Sequence, residues 1–269
     1  MALQDAKKPY IISKHMIITC DIGNTSTKLG LYDGDKRVSF MIVDSKTSTP
    51  FKSSILQMIY KLSLREDQIE DAVVSSVVPD ITPIVKKALL EILNKEAIII
   101  DDTNYYGIQI DDEVKGEVGS DLLVICAYAY QKYNQELMVV SLGTASVFCH
   151  VTGDGKFKHC IIAPGYVGFG TSLYSSAAKL PSISAQMSAT FLASNTYDAM
   201  SVGVTKGYVG MVKYLIAGLR QSIGNYVSVV SCGGAAKELI PYISELENYE
   251  PDLVSDGLAY IYERYLRHE

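Results

Sequence analysis

Four short segments carry residue types suited to phosphate chemistry. Asp21-Ile22-Gly23-Asn24-Thr25 puts a carboxylate at the end of an apolar run and a tight turn behind it. Small residues in such a turn let backbone N–H groups come close to an anion. Gly143-Thr144-Ala145 offers a second turn of this kind. Two donor-rich turns facing each other can hold a polyphosphate between them. Asp21 then suits a Mg²⁺ held through water, because Mg²⁺ keeps much of its hydration shell. Lys28, on the strand that follows, adds positive charge. Ser231-Cys232-Gly233-Gly234 ends a strand and opens a helix, where glycines let a flat ring or a phosphate approach the backbone. In this context Gly233 and Gly234 form the nucleoside side. Gly119-Ser120-Asp121 precedes an apolar helix. An Asp there is either a first-turn cap or a general base that draws a proton from a substrate hydroxyl. Each segment alone is also an ordinary turn or packing contact. The pairing of two similar turns favours phosphate binding.

These segments need strands and helices to position them. Residues 16–21, 27–32 and 37–43 read as strands, with turns at Gly23-Asn24-Thr25 and Asp33-Gly34-Asp35. Residues 53–64 have helical spacing, with Ile55, Met58, Ile59 and Leu62 on one face. A strand over 72–78, a helix over 82–94, a short strand over 97–100 and a helix over 122–133 follow. The pattern then restarts. Residues 138–142 form a strand, then come the turn at Gly143 and hairpin strands over 147–151 and 156–162. A long helix over 203–223, a strand over 227–231, a helix over 234–239 and a closing helix over 256–266 complete the chain. Asp21-Ile22-Gly23-Asn24 recurs 120 residues on as Ser141-Leu142-Gly143-Thr144, and the next Asp-Gly turn recurs 121 residues on. This is an internal repeat. It predicts two similar α/β halves with mixed sheets and a cleft between them, over 16–137 and 138–269, after an N-terminal extension at 1–15.

Composition narrows the function. The chain has 24 Lys+Arg and 30 Asp+Glu, a formal charge of −6, so no excess of positive charge meets nucleic acid or an anionic membrane. No apolar run is long enough to span a bilayer. An odd count of 5 Cys with no C-x-x-C fits a reduced, cytoplasmic protein. Cys149-His150 and His159-Cys160 fall on one expected hairpin. Pairing Val151 with Lys156 would put both His on one face and both Cys on the other. Four ligands cannot converge from opposite faces, so zinc is not expected there. The 19 Tyr, with no Trp, are a general packing choice, and Tyr128, Tyr130, Tyr133, Tyr166 and Tyr174 fall beside the expected acceptor site.

The motifs DIGNT, VSSVVP, EVGSD, LGTAS, IAPG, KLP, SNT, CGG and PDLVSDGL occur in order from about Met16 to the C-terminus. In order and spacing the chain resembles the type III pantothenate kinase family. The resemblance implies two actin-like (ribonuclease H-like) halves and a homodimer. It implies phosphorylation of the 4′-hydroxyl of pantothenate by ATP, the first step of coenzyme A synthesis, with Mg²⁺ and a monovalent cation (K⁺ or NH₄⁺). Carried over by position, Asp21, Gly23, Asn24 and Thr25 match the first phosphate motif, and Gly143, Thr144 and Ala145 match the second. Asp121 matches the catalytic base, Gly119 the turn before it and Thr196 a substrate-site residue. Pro164-Gly165 matches the family's Pro-Gly, and Gly233-Gly234 its adenosine-side glycines.

The chain also departs from that pattern. Leu122 stands where the family has an Arg that partners the substrate carboxylate. Ser141 replaces an Asp linked to the cation site. Val147 and Cys149 replace a Thr and an Asp, His159-Cys160 a Gly-Gly pair, Asp112 a substrate-site Tyr and Ala177 a Thr. Losing the Arg removes a bidentate carboxylate clamp. Losing the Asp removes a hard anionic ligand. Two further readings follow: a catalytically impaired or regulatory homodimer of the same fold, and a kinase for another small hydroxyl acceptor.

Overall fold

The computed structural model describes residues 15–175, 180–183, 190–224 and 226–267. Ala177 and residues 1–14 of the expected extension lie outside the described residues. The chain divides into two compact units, one of Met1–Ile100 with Leu258–Glu269 and one of Asp101–Gly257. The helix carrying Asp121 groups with the second unit, because it packs on that unit's strands.

In the first unit β1 (Met16–Ile22), β2 (Ser26–Asp33) and β3 (Lys36–Asp44) run antiparallel, and β4 (Ile69–Ser76) and β5 (Ile98–Ile99) lie parallel to β1, in the order β3-β2-β1-β4-β5. β1 is buried at every position, as a strand covered on both faces must be. Helix α1 (Phe51–Tyr60) buries Phe51, Ile55, Met58 and Ile59, one face of a 3.6-residue period, against the sheet. It ends before the expected 64. Ser63 adopts a left-handed φ of 58° that turns the chain and drives Leu64 into the core. Helix α2 (Thr82–Leu93) carries Pro83 in its first turn and ends on Asn94, again left-handed. The Tyr262 hydroxyl donates to buried Asp71 at 2.8 Å, and the Lys95 ammonium lies 2.6 Å from the other oxygen of that carboxylate.

The second unit contains β6 (Gln109–Ile110), α3 (Ser120–Tyr133), β7 (Leu137–Leu142), β8 (Ala145–Val151), β9 (Lys156–Pro164), α4 (Tyr166–Ser175), α5 (Thr196–Ile223), β10 (Ser228–Cys232), α6 (Gly234–Leu239) and β11 (Asn248–Tyr249), and α7 (Leu253–Ile261) begins in it. Strand order β9-β8-β7-β10-β11 repeats β3-β2-β1-β4-β5, directions included, with β6 added at the β9 edge. The repeat seen in the motifs is thus a repeat of topology. Helix α4 falls where the sequence pattern assigns no element. Gly168 and Gly170 weaken its helical signal, and Tyr166 and Phe169 pack it edge-on against Tyr208 of α5. Helix α5 starts seven residues before the expected 203, because the Asn195 side chain caps the Asp198 N–H at 2.9 Å. In the β8–β9 hairpin Val151 faces Phe157, not Lys156, across a bulge next to His150. His150 lies directly opposite His159, and Cys149 opposite Cys160. Among the described residues no helix is long and apolar enough to cross a membrane.

Candidate active site

The first turn closes the β1–β2 hairpin of the first unit. The Gly23 N–H donates to the Ser26 carbonyl at 3.1 Å, and Thr25 is tied to the end of β3 through the Ser45 N–H at 3.2 Å. Asn24 and Thr25 are exposed at the tip. Asp21 lies opposite Lys28 in the register, and the Lys28 ammonium donates to its Oδ2 at 2.9 Å. The carboxylate is almost wholly buried, while the lysine remains about a third exposed. Lys28 therefore serves Asp21 directly.

The second turn closes the β7–β8 hairpin of the second unit. The Gly143 N–H donates to the Ala145 carbonyl at 3.0 Å, and Gly143, Thr144 and Ala145 are all exposed. Two other backbone segments press on this turn. The Gly165 N–H donates to the Thr144 carbonyl at 3.2 Å, and a Cβ at Gly165 would lie 2.2 Å from the Gly143 oxygen. Gly233 has a φ of +94°, and a Cβ there would lie 2.5 Å from the Leu142 oxygen. Only glycine permits that approach. Ser146 completes the anchor. Its hydroxyl donates to the Pro164 carbonyl at 2.9 Å and meets the buried Tyr208 hydroxyl at 2.7 Å. Burial raises the Tyr208 phenol above its ordinary value. Gly234 is exposed at the start of α6.

Gly119 precedes α3 in an extended conformation, and Asp121 sits in the first turn. Its Oδ1 accepts the Leu122 N–H at 2.9 Å. Gly119 provides no side-chain cap, so this carboxylate is the acid at the helix start, where the macrodipole favours negative charge. Leu122 is half-buried beside it. The Asp121 charge reaches Cys160 on β9. The Cys160 thiol is held well above its usual range by its hydrogen bond to Cys149, by partial burial and by the fields of Cys149 and Asp121. Thr196 is exposed at the first position of α5. Ser141 lies in β7 between Val147 of β8 and Cys232 of β10, and Asp112 is exposed ahead of α3. Among the described residues no group of three or more His, Cys, Asp or Glu side chains is placed to hold a metal ion.

The structure thus brings Asp21 to Lys28, Gly143-Thr144 to Gly165, and Leu142 to Gly233. Sequence reasoning missed the Ser146–Tyr208 bond, which joins residues 62 apart and has no local signal. It also missed the direct contact between Cys149 and Cys160, because the bulge next to His150 shifts the hairpin register from the expected one.

Residues 17–218 match the family model of type III pantothenate kinase. The type III pantothenate kinase of Geobacter sulfurreducens is 31% identical over 252 residues, covering 93% of this chain and 99% of that protein. Among solved structures, a protein of Campylobacter jejuni described as a conserved Baf family transcriptional activator superposes with a TM-score of 0.57 at 18% identity, over 91% of this chain and 97% of that one. MreB 5 of Spiroplasma citri, bound to AMPPNP, superposes with a TM-score of 0.50 at 9% identity, over 94% of this chain and 97% of that one. At these identities the structures share the fold, and it is the expected actin-like one.

Proposed function

We propose, from the premise that the chain belongs to the type III pantothenate kinase family, that it transfers the terminal phosphoryl group of ATP to the 4′-hydroxyl of pantothenate, the first step of coenzyme A synthesis. The observation that carries this reading is the recurrence of one strand–turn–strand unit in both sheets, each ending in an exposed polar turn.

In this reading the backbone around Gly23, Asn24 and Thr25 and around Gly143, Thr144 and Ala145 holds the phosphates. Gly233 and Gly234 take the nucleoside side. Gly119 and Thr196 line the acceptor pocket. Asp121 accepts the proton of the acceptor hydroxyl as its oxygen attacks phosphorus. It sits in the first turn of α3, where the macrodipole favours negative charge. The donor set fits a Mg²⁺ that arrives with the nucleotide. Asp21 is a hard carboxylate at a strand end, and phosphate and water oxygens would supply the other ligands. When bound, that ion neutralises charge on the phosphates. The residues do not fit the family's monovalent-cation position, since Ser141 has Val147 and Cys232 as its strand neighbours and no hard anion among them. A homodimer acting in the cytoplasm completes the proposal.

One observation favours a different acceptor over pantothenate: Leu122 is half-buried where a guanidinium would grip a carboxylate. A coupled ADP-release assay across pantothenate, pantetheine and other small alcohols separates these readings. Turnover with pantothenate, lowered about 10²- to 10⁴-fold in kcat by Asp121→Asn with the KM for ATP little changed, is the expected result. Turnover only with uncharged alcohols would move the assignment to another acceptor. Nucleotide binding by thermal shift with no turnover on any acceptor would leave the regulatory reading.

A further inference from the structure

Two departures from the family pattern, Cys149 and Cys160, are cross-strand partners. They face each other directly in the β8–β9 ladder, with Sγ atoms 3.8 Å apart. Cys149 is fully buried, whereas Cys160 is exposed. No disulfide joins them in this structure. Directly opposed antiparallel residues have Cβ atoms about 4.5–5.5 Å apart, against about 3.5–4.5 Å in a disulfide, so closure needs only a small approach of the strands. Cys160 is an exposed residue, and Cys149 opposite it has no exposed surface.

We propose that Cys149 and Cys160 form a reversible intramolecular disulfide under oxidising conditions, with Cys160 the attacking thiol and Cys149 the resolving one. The oxidant is a low-molecular-weight disulfide. The Cys160 thiolate attacks one of its sulfurs, forms a mixed disulfide and releases one thiolate. Cys149 then attacks Cys160 Sγ, and its proton leaves with the expelled sulfur as the second thiol. The two cysteines lose two electrons, and the reagent is reduced to two thiols. Because the Cys160 thiol is held high by its neighbours, closure is slow near neutral pH, as in a site that responds to sustained oxidation and not to a brief pulse. The Asp121 charge acts on Cys160, so the bond would form within the field of the proposed base.

Cys126 is the competing partner, since it too hydrogen-bonds Cys149. The test is therefore a linkage map that needs no activity. Full-length protein is incubated with oxidised glutathione, alkylated without reduction, digested and analysed by mass spectrometry. The expected result is a peptide pair joined through Cys149 and Cys160, an intact mass lower by about 2 Da when read before alkylation, and full reversal by dithiothreitol. Cys160→Ser, at an exposed position that leaves the fold in place, is expected to abolish the link. Cys149→Ser is expected to stop the reaction at a glutathione adduct on Cys160. Wild-type protein that carries only that adduct, that links Cys126 to Cys149, or that keeps all 5 thiols would overturn the proposal.

Discussion

Tyr208 on α5 and Ser146 on β8 meet through a 2.7 Å hydrogen bond in a fully buried site. A serine hydroxyl has one proton, and Ser146 gives it to the Pro164 carbonyl at 2.9 Å, so the tyrosine is the donor in the pair. The chain from Tyr208 through Ser146 to Pro164 fixes both backbone segments beside the Gly143-Thr144 turn. Tyr208→Phe keeps the ring contacts with Tyr166 and Phe169 and removes the donor. Its unfolding free energy should fall by about 1–2 kcal/mol in urea titration. If the bond also shapes the phosphate turn, the KM for ATP should rise while kcat changes less. A lower stability with an unchanged KM would confine the bond to folding.

Gly165 and Gly168 provide a matched pair at the start of α4. A methyl group at Gly165 would lie 2.2 Å from the Gly143 oxygen and 2.4 Å from the Thr144 oxygen, so Gly165→Ala must displace the turn. A methyl group at Gly168 meets nothing within 4 Å and sits in an exposed helix interior. Gly165→Ala should cost about 1–3 kcal/mol and weaken nucleotide binding measured by calorimetry. Gly168→Ala should gain about 0.5–1 kcal/mol and leave binding unchanged. Equal behaviour of the two variants would remove the second turn from the nucleotide site.

What was legible in the sequence follows from range. The β1–β2 and β7–β8 turns, the helix carrying Asp121 and the doubled topology were readable because turn chemistry and periodicity are local. The start of α5 was misplaced by seven residues because a cap was passed over, although Asn195 and Asp198 are three apart. Helix α4 was invisible because its glycines argue against a helix that packing on Tyr208 enforces. The close approach of Gly165 and Gly233 to the second turn is tertiary, and spacing along the chain cannot give it. Lys28 lies opposite Asp21 in the register and donates to it, while about a third of its side chain stays exposed.

Alkaline pH should destabilise the protein through protons that the fold holds tightly, among them those of Cys20 and Tyr133. Burial pushes the Cys20 thiol up from 9.0 to about 12, with the Asp21 charge adding to it. Burial and the hydrogen bond to Glu250 push the Tyr133 phenol up from 10.0 to about 12. Both folded values exceed the unfolded ones, so the unfolded chain releases these protons first. Stability from this source is complete below pH 9.0 and is lost as pH rises to about 12. Urea midpoints should hold steady up to about pH 8.5 and fall progressively above it. Tyr133→Phe should flatten the part of the decline that begins near pH 10.0. A midpoint that stays level to about pH 11 would contradict both assignments.

The residues around Ser141 bear on cation dependence. A hard monovalent cation is held by carboxylate, carbonyl and water oxygens, while thiols suit soft metals. Ser141 has a thiol neighbour, Cys232, across the parallel ladder and an aliphatic one, Val147, across the antiparallel ladder. Neither supplies the anionic oxygen that an Asp at this position would bring. With no charged ligand the site gains little from K⁺ or NH₄⁺ over a bulky cation. Steady-state rates in K⁺, NH₄⁺ and tetramethylammonium buffers of equal ionic strength should therefore agree within about twofold, and the ATP-dependent thermal shift should not depend on the cation. A stimulation of about tenfold or more by K⁺ would mean that backbone carbonyls or the nucleotide itself complete a cation site without the carboxylate, and would return the monovalent ion to the reaction.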